Sequence, residues 1–487
     1  AFVPGQTSVA STAPLYTLLL SVGYLLHIPF FVWTFALSVI ALAGAGWIGR
    51  RVGARLFPDL PHAGLWSGLV MVASWHLIWA AASGMETMLF CTLSLVVVWL
   101  GWQNPLLANI HHRDTEDTEK NELKAKEKQN LKKLFQQGFI LGLVGAALTL
   151  TRPEGIGLVG LTGLFVLVAS LWGTNRAQWS AILPLYLAWA GGVISAWVLG
   201  VAPYLALNYD VSGTLLPDTS RAKQAEYAYV RAQWSLLERY GRLLLPLLAS
   251  GLIALLPGVI YGIYDVIQRV RHNRHQIIYW LPLVWAVMLL SAYAIRLPAN
   301  YQHGRYVIPI LPPLLLYGVG GTLGIMRAGR RSPAGRVASR TLALSAVLIT
   351  PGFWVLGAQA YARDVRIINT EMVETAQWID QHLDPDDLLA VHDIGAVGYY
   401  APRPIFDLAG LVSPDVVPVI DDHAALMQMM CARAVRYLMV FPDQRPAEAD
   451  DPRLGLTPIF QTESPYAAEA GGANMMIYEM NWSTDCN

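Results

Sequence analysis

Residues 136–173 read QQGFILGLVGAALTLTRPEGIGLVGLTGLFVLVASLWG, two apolar runs joined by the charged pentapeptide Thr151-Arg152-Pro153-Glu154-Gly155. How these runs are counted decides the fold. A transmembrane helix needs about 20 mostly apolar residues, and both runs approach that length. Taken as two spans, 136–151 and 156–173, they bring the chain to about ten; the others lie near 27–49, 64–83, 86–103, 181–205, 243–265, 277–295, 307–326 and 341–358. A buried core helix could explain one such run, but not this many in series.

The count is checked by charge. Alternate connections hold the basic clusters: Arg50, Arg51 and Arg55; Arg113 with six Lys between 120 and 133; Arg176; Arg269, Arg271 and Arg274; and Arg327, Arg330, Arg331, Arg336 and Arg340. With ten spans all five clusters fall on one side, which the positive-inside rule makes cytoplasmic. The N-terminus and everything after 358 are then expected outside. The Lys-rich connection HHRDTEDTEKNELKAKEKQNLKKLF reads as a solvated helix or linker on the inner side.

Composition agrees. Of 487 residues, 54% are apolar and 14% charged, with 17 Trp and 21 Tyr to populate two interfaces; soluble chains carry about 25% charged residues. Mean hydropathy is +0.41. Net charge is zero, so nothing calls for a nucleic-acid partner. Three cysteines, Cys91, Cys431 and Cys486, make no CxxC motif and no disulfide framework, although Cys431 and Cys486 would be free to pair in an oxidising compartment. The glycines Gly318, Gly320 and Gly321 sit inside an apolar run, where small residues serve close helix packing. Asp384-Pro385-Asp386 reads as a turn rather than a metal-binding DxD, and no ligand cluster marks a metal.

With this topology, four polar motifs share the outer face: Ser83-Gly84-Met85-Glu86-Thr87, the Arg152 pentapeptide, GTLLPDTSRAKQAEY at 213–227, and Ala299-Asn300-Tyr301-Gln302-His303-Gly304-Arg305-Tyr306. Singly, each has a structural explanation. Arg152 and Arg305 can snorkel to headgroups, and Glu86 can favour the helix it begins. Together they bring carboxylate, imidazole, guanidinium and ammonium groups to one rim. A lipid-borne phosphate lies at that depth, where Arg or Lys neutralises it through charge-assisted hydrogen bonds. If the phosphate carries a sugar, the same cations stabilise the charge that grows as it departs, and a carboxylate takes the proton of the incoming hydroxyl.

The order SGMET, TRPEG, LPDTSRAK and HGRYVIPILP resembles the GT-C integral-membrane glycosyltransferases, in particular the bacterial branch that includes mycobacterial-type arabinofuranosyltransferases. PGQTSVASTAPLYTLL near the start and DIGAVGYYAPRPIFDLAGLVSPD in the tail resemble the same branch. The resemblance implies a polyprenyl-phosphate sugar donor, a glycan or other cell-envelope acceptor, and transfer at the outer face of the inner (plasma) membrane. It assigns Arg152, Glu154 and Lys223, with His303 and Arg305, to the donor phosphate and sugar. Glu86 and Asp218 become the candidate catalytic carboxylates, Asp218 standing where relatives commonly have Asn. In such enzymes the main carboxylate belongs to a first outer loop, expected here upstream of Ala1 together with a first helix. Some members of the superfamily use a divalent ion and others do not.

The expected architecture is a polytopic α-helical membrane domain over 1–358 and a small extracytoplasmic α/β domain over 359–487. In the latter, DVRIINTEMVETAQWIDQHL reads as an amphipathic helix, DLLAVHDIG and VRYLMVFP as buried strands, and DIGAVGYY as strand–turn–strand. Asp393, Tyr399, Tyr400, Arg403 and Asp407 are candidate acceptor contacts. Two other classes compete with the enzyme. A non-catalytic lipid- or glycan-binding membrane protein would keep the rim without the chemistry. A lipid-linked-sugar transporter would show repeated halves and polar groups near the midplane, which the sequence lacks.

Overall fold

The computed structural model describes residues 11–107, 120–172, 174–215, 217–446 and 454–482, with the backbone alone at 120–128, 218 and 454. The helices, in chain order, are α1 Pro14–Leu25, α2 Phe30–Leu56, α3 Ala63–Ala73, α4 Trp75–Ala82, α5 Thr87–Trp102, α6 Lys120–Thr151 and α7 Gly155–Leu171. They continue as α8 Arg176–Ser212, α9 Asp218–Glu226, α10 Ala228–Gln233, α11 Leu236–Leu248, α12 Leu252–His272, α13 Leu281–Arg296 and α14 Tyr301–Gly304. The last are α15 Leu311–Gly329, α16 Pro333–Ile367, α17 Glu374–His382, α18 Ile394–Tyr400, α19 His423–Ala432 and α20 Pro465–Glu469. Two compact units result: Thr12–Tyr204 with Trp234–Gly357, and Leu205–Gln233 with the tail from Ala358.

The first unit is a multi-pass membrane bundle. Seven helices among the described residues are long and apolar enough to cross a bilayer, and the pair α3–α4, bent by 50° at Ser74, makes eight. The runs on either side of Arg152 became α6 and α7; α7 and α5 are apolar but shorter, at 17 and 16 residues. The run expected at 243–265 is interrupted: α11 ends at Leu248, and the crossing helix is α12, Leu252–His272. Exposed apolar faces mark the lipid-facing side, including Ile40 and Val39 on α2 and Leu344, Leu348 and Val355 on α16.

The glycines of α12 and α15 set their approach. A Cβ on Gly321 would fall 1.8 Å from the Gly258 carbonyl oxygen, and one on Gly258 would lie 2.1 Å from that of Gly318. Only hydrogen fits there, so backbone packs against backbone. At the α3–α4 break, the Trp354 indole donates to the freed Ala73 carbonyl at 2.7 Å. Trp75 does the same for Ala249 at the end of α11, at 3.0 Å. A carbonyl at that depth needs such a partner, because hydrocarbon supplies none.

The second unit is built on a five-stranded mixed sheet of β1 Leu389–Val391, β2 Ile405–Asp407, β3 Tyr437–Val440, β4 Leu454–Gln461 and β5 Met476–Trp482, in the order β2-β1-β3-β5-β4. β1 runs parallel to both β2 and β3, while β5 is antiparallel to β3 and β4. Alternate residues face opposite sides. Leu389, Val391, Met439 and Ile477 enter one core with Ile379 of α17 and Val397 of α18. Ala390, Phe406, Leu438 and Val440 enter the other with Leu426 and Met430 of α19. DIGAVGYY is not strand–turn–strand: β1 ends at Val391, and residues 394–400 form α18.

A π-helical turn, Ile368–Val373, leads into α17 and buries Glu371 completely. Its carboxylate accepts from the Met475 N–H at 2.9 Å and from the Thr462 hydroxyl, with Asn474 at 3.4 Å. Cys431 is disulfide-bonded and Cys91 is a buried free thiol, while Cys486 lies outside the described residues.

Candidate functional site

Pro153 ends α6, because a residue before proline is pushed out of the helical region, and Gly155 restarts the chain as α7. A Cβ on Gly155 would meet Leu148 at 2.7 Å. This tight turn holds Arg152 inside the bundle, 5% exposed. Its Nη2 donates to the Tyr293 hydroxyl at 2.5 Å and to Glu154 Oε1 at 3.4 Å. The rings of Phe90, Tyr306 and Tyr293 stand 5.3, 5.4 and 5.7 Å from the guanidinium carbon. Nη1 is buried without a hydrogen-bond partner among the described residues, and so is Glu154 Oε2. Leaving such a group unsatisfied costs about 1–3 kcal/mol, so the pair is poised for a ligand that supplies both an acceptor and a donor.

Glu86 lies within electrostatic reach of Arg152. Its loop is tied to α1, where the Tyr16 hydroxyl donates to the Gly84 carbonyl at 2.8 Å. Gly84 has φ +69°, a conformation glycine adopts without steric penalty. Thus SGMET and TRPEG, distant in sequence, meet at one place.

The third motif of this unit is strained. Gln302, His303 and Gly304 have φ of 51°, 56° and 74°, three consecutive left-handed residues at roughly 1–3 kcal/mol for each that is not glycine. The turn lets Gln302 Oε1 accept from Arg305 Nη1 at 2.7 Å, and Met85 Sδ lies 3.2 Å from the same nitrogen. Arg305 stands 4.9 Å from the Tyr306 ring, the ring that also flanks Arg152. His303 packs edge-on to Trp79 and Trp75, at 5.0 and 5.5 Å. Trp75 also lines an apolar groove of about 430 Å³ between α3, α12, α15 and α16, walled by Leu69, Leu255, Leu315, Val347 and Trp354.

The second unit holds the remaining candidates. Asp218 opens α9, with its side chain outside the described atoms. Lys223 and Glu226 are three residues apart on the same helix, on neighbouring positions of its surface. Glu226 is within electrostatic reach of His392 and Asp393. His392 Nδ1 lies 3.8 Å from Asp393 Oδ2, an ion-pair distance too long for a direct hydrogen bond. Burial lowers the His392 imidazole, but Asp393 beside it, with Glu226 and Asp407, outweighs this and raises it above its ordinary 6.5. Tyr399 and Tyr400 are exposed and meet edge to face at 4.8 Å.

Two expected acceptor contacts belong to the interior instead. Arg403 is 2% exposed and donates to the carbonyls of Asp384 at 3.1 Å and Ile379 at 3.2 Å, satisfying the end of α17. Asp407 is fully buried and accepts from the N–H groups of Val412 at 2.7 Å and Ala409 at 2.9 Å. Burial raises its carboxyl, and those N–H groups pull it back in part. Conversely, Tyr293, Phe90, Trp75 and Trp79 surround the charged groups without standing out in the sequence. The only cue was an aromatic residue near each motif.

A family model for a domain of unknown function (DUF8728) matches residues 356–481. No curated protein matches the sequence. Among solved structures, ArnT from Cupriavidus metallidurans in the apo state aligns with TM-score 0.55 at 15% identity, covering 96% of this chain and 87% of that one. The same protein bound to undecaprenyl phosphate gives 0.49 at 15% identity, with the same coverages. The arabinofuranosyltransferase AftD from mycobacteria gives 0.41 at 13% identity, over 96% of this chain and 35% of that one. The likeness to apo ArnT is one of fold.

Proposed function

We propose that this chain is a membrane glycosyltransferase that moves a sugar from a polyprenyl-phosphate donor to a glycan, lipid or protein acceptor at the extracytoplasmic face of the plasma membrane. The observation that carries the reading is Arg152, a buried guanidinium whose Nη1 has no hydrogen-bond partner among the described residues, beside Glu154 and within reach of Glu86. A planar guanidinium is suited to a phosphate oxygen, and the unpartnered carboxylate oxygen of Glu154 is suited to a sugar hydroxyl. The apolar groove lined in part by Trp75, which touches His303, fits an isoprenoid chain. ArnT, whose apo state has the same fold, also binds undecaprenyl phosphate, a ligand of this chemistry.

In the reaction the bond from the anomeric carbon to the phosphate oxygen breaks and one to the acceptor oxygen forms. Charge grows on the departing phosphate, where Arg152 and Arg305 are the candidates of the membrane bundle to stabilise it, and Lys223 is the candidate of the second unit. The acceptor's proton passes to a carboxylate, for which Glu86 and Asp218 are the candidates. Asp393, Tyr399 and Tyr400 offer contacts to the acceptor.

The test is transfer of radiolabelled sugar from a panel of polyprenyl-phosphate sugars by the protein in proteoliposomes. Transfer from at least one donor is expected. Tight lipid binding with no transfer from any donor, whatever acceptor extract is supplied, would replace the enzyme by a lipid-binding protein.

A further inference from the structure

Helix α15 has a charged site at each end. Arg305 and Tyr306 precede its N-terminus; its C-terminus, about 28 Å away at 1.5 Å per residue, reaches Arg327 and Arg331 in a cleft of about 340 Å³. The cleft is lined also by Asp59, Asp265 and Arg269. A second cleft of about 590 Å³ shares Phe57, Pro58 and Leu60 with it and adds Arg50, Arg51 and His62.

Three helices, α2, α12 and α15, end here, so some of this basic charge simply offsets their negative C-terminal poles. Arg327 also donates to the Asp59 carbonyl at 2.9 Å. Those roles leave a surplus. Five arginines face two aspartates across the two clefts. Arg269, whose Nε sits 3.0 Å from Asp265, is wedged between the rings of Phe57 and Tyr279. Its Nη2 is buried without a hydrogen-bond partner among the described residues. A buried guanidinium nitrogen beside two more exposed arginines calls for an anion with several oxygens.

The surroundings say where that anion comes from. Trp47, 58% exposed, carries the Arg51 guanidinium 4.2 Å above its ring, and Tyr264 and Ile260 of α12 are exposed nearby in sequence to Arg269. Exposed aromatic residues at the ends of apolar helices mark the headgroup level. We infer that this end of the bundle is a binding site for the phosphate of an anionic phospholipid, held by Arg269, Arg327 and Arg331, at the opposite end of α15 from Arg152.

The experiment measures binding of a fluorescent phosphatidylglycerol to the purified protein in micelles, with unlabelled phosphatidylglycerol, phosphatidylcholine and inorganic phosphate as competitors. Displacement by phosphatidylglycerol alone is expected. The exposed pair Arg327→Gln/Arg331→Gln should weaken binding by about thirty-fold, the factor for two basic side chains at a lipid surface. Arg327→Lys/Arg331→Lys, which keeps the charge, should recover most of it, and Arg152→Gln should leave it unchanged. The site is overturned if the double Gln variant, melting like the parent, binds as tightly as the parent, or if phosphatidylcholine competes equally. Displacement by inorganic phosphate as effective as by phosphatidylglycerol would overturn the lipid as the source.

Discussion

The two ends of α15 make an instructive pair. Both hold an arginine with a buried, unpartnered nitrogen stacked against aromatic rings, Arg152 against Phe90, Tyr293 and Tyr306, and Arg269 against Phe57 and Tyr279. Around Arg152 stand Glu86 and an unpartnered Glu154 oxygen, next to a backbone held in three left-handed residues. Around Arg269 stand further arginines, partly exposed, and an aspartate already engaged. Strain and opposed charge are what a reaction needs; an open surplus of one sign suffices for holding a ligand.

The largest effect should come from the Arg152 end. Arg152→Gln is expected to lower sugar transfer about 10²–10³-fold, the loss typical when one donor to a developing anion is removed. Lys223→Ala should lower it less, because Lys223 is only partly buried where Arg152 is 5% exposed. Transfer assays on both variants would break the comparison if Arg152→Gln kept parental activity.

Next is the helix that connects the ends. In Gly321→Val the side chain would collide with the Gly258 carbonyl, so α12 and α15 must separate. A loss of about 3 kcal/mol is expected, read as a lower melting temperature in detergent. Because both ends hang on α15, transfer and phosphatidylglycerol binding should fall together. If one fell alone, the ends would be structurally independent.

The second unit gives a smaller and separate effect. Glu371→Ala leaves the Thr462 hydroxyl buried without its carboxylate acceptor and the Met475 N–H with only the Thr462 oxygen at 3.2 Å, at about 2 kcal/mol. Urea unfolding followed by proteolysis of the tail should register it, while the membrane bundle melts as before.

The smallest effect is a dependence on pH in the same unit. His392, raised by its carboxylate neighbours, contributes stability in full below its ordinary 6.5, and that contribution fades as pH rises through the raised value. Buried Asp407, also raised, acts in the same direction from above its ordinary 3.8. The urea midpoint of the tail should therefore decline as pH increases above 6.5, and His392→Asn should flatten the decline. A parent midpoint that rises over that range would contradict the assignment.

The sequence carried the long-range plan better than the local detail. Apolar length and charge alternation located the helices, and Arg-Pro at 152–153 announced a rim turn because proline dictates its own geometry. Gly318 and Gly321 were legible as packing residues for the same reason: a missing side chain has few uses inside an apolar helix. The misreadings fell where partners are remote. Arg403 looked like a surface contact because its carbonyl partners at 379 and 384 belong to an earlier helix end. Asp407 satisfies backbone N–H groups within five residues, yet only the β2 core shows that the whole turn is buried. DIGAVGYY carries too short a period to distinguish a strand pair from about two helical turns. Tyr293, 141 residues from Arg152, is marked in the sequence only as an aromatic residue near a polar motif.

The central claim is that the unpartnered nitrogen of Arg152 receives a lipid phosphate, and a binding comparison tests it without needing the sugar. The affinities of the parent and of Arg152→Gln for a polyprenyl phosphate and for the matching polyprenol, which lacks the phosphate, would be measured side by side. The parent should prefer the phosphate by at least about ten-fold, as expected for a charge-assisted contact, and the variant should lose that preference while still binding the isoprenoid. An undiminished preference in the variant would place the phosphate elsewhere.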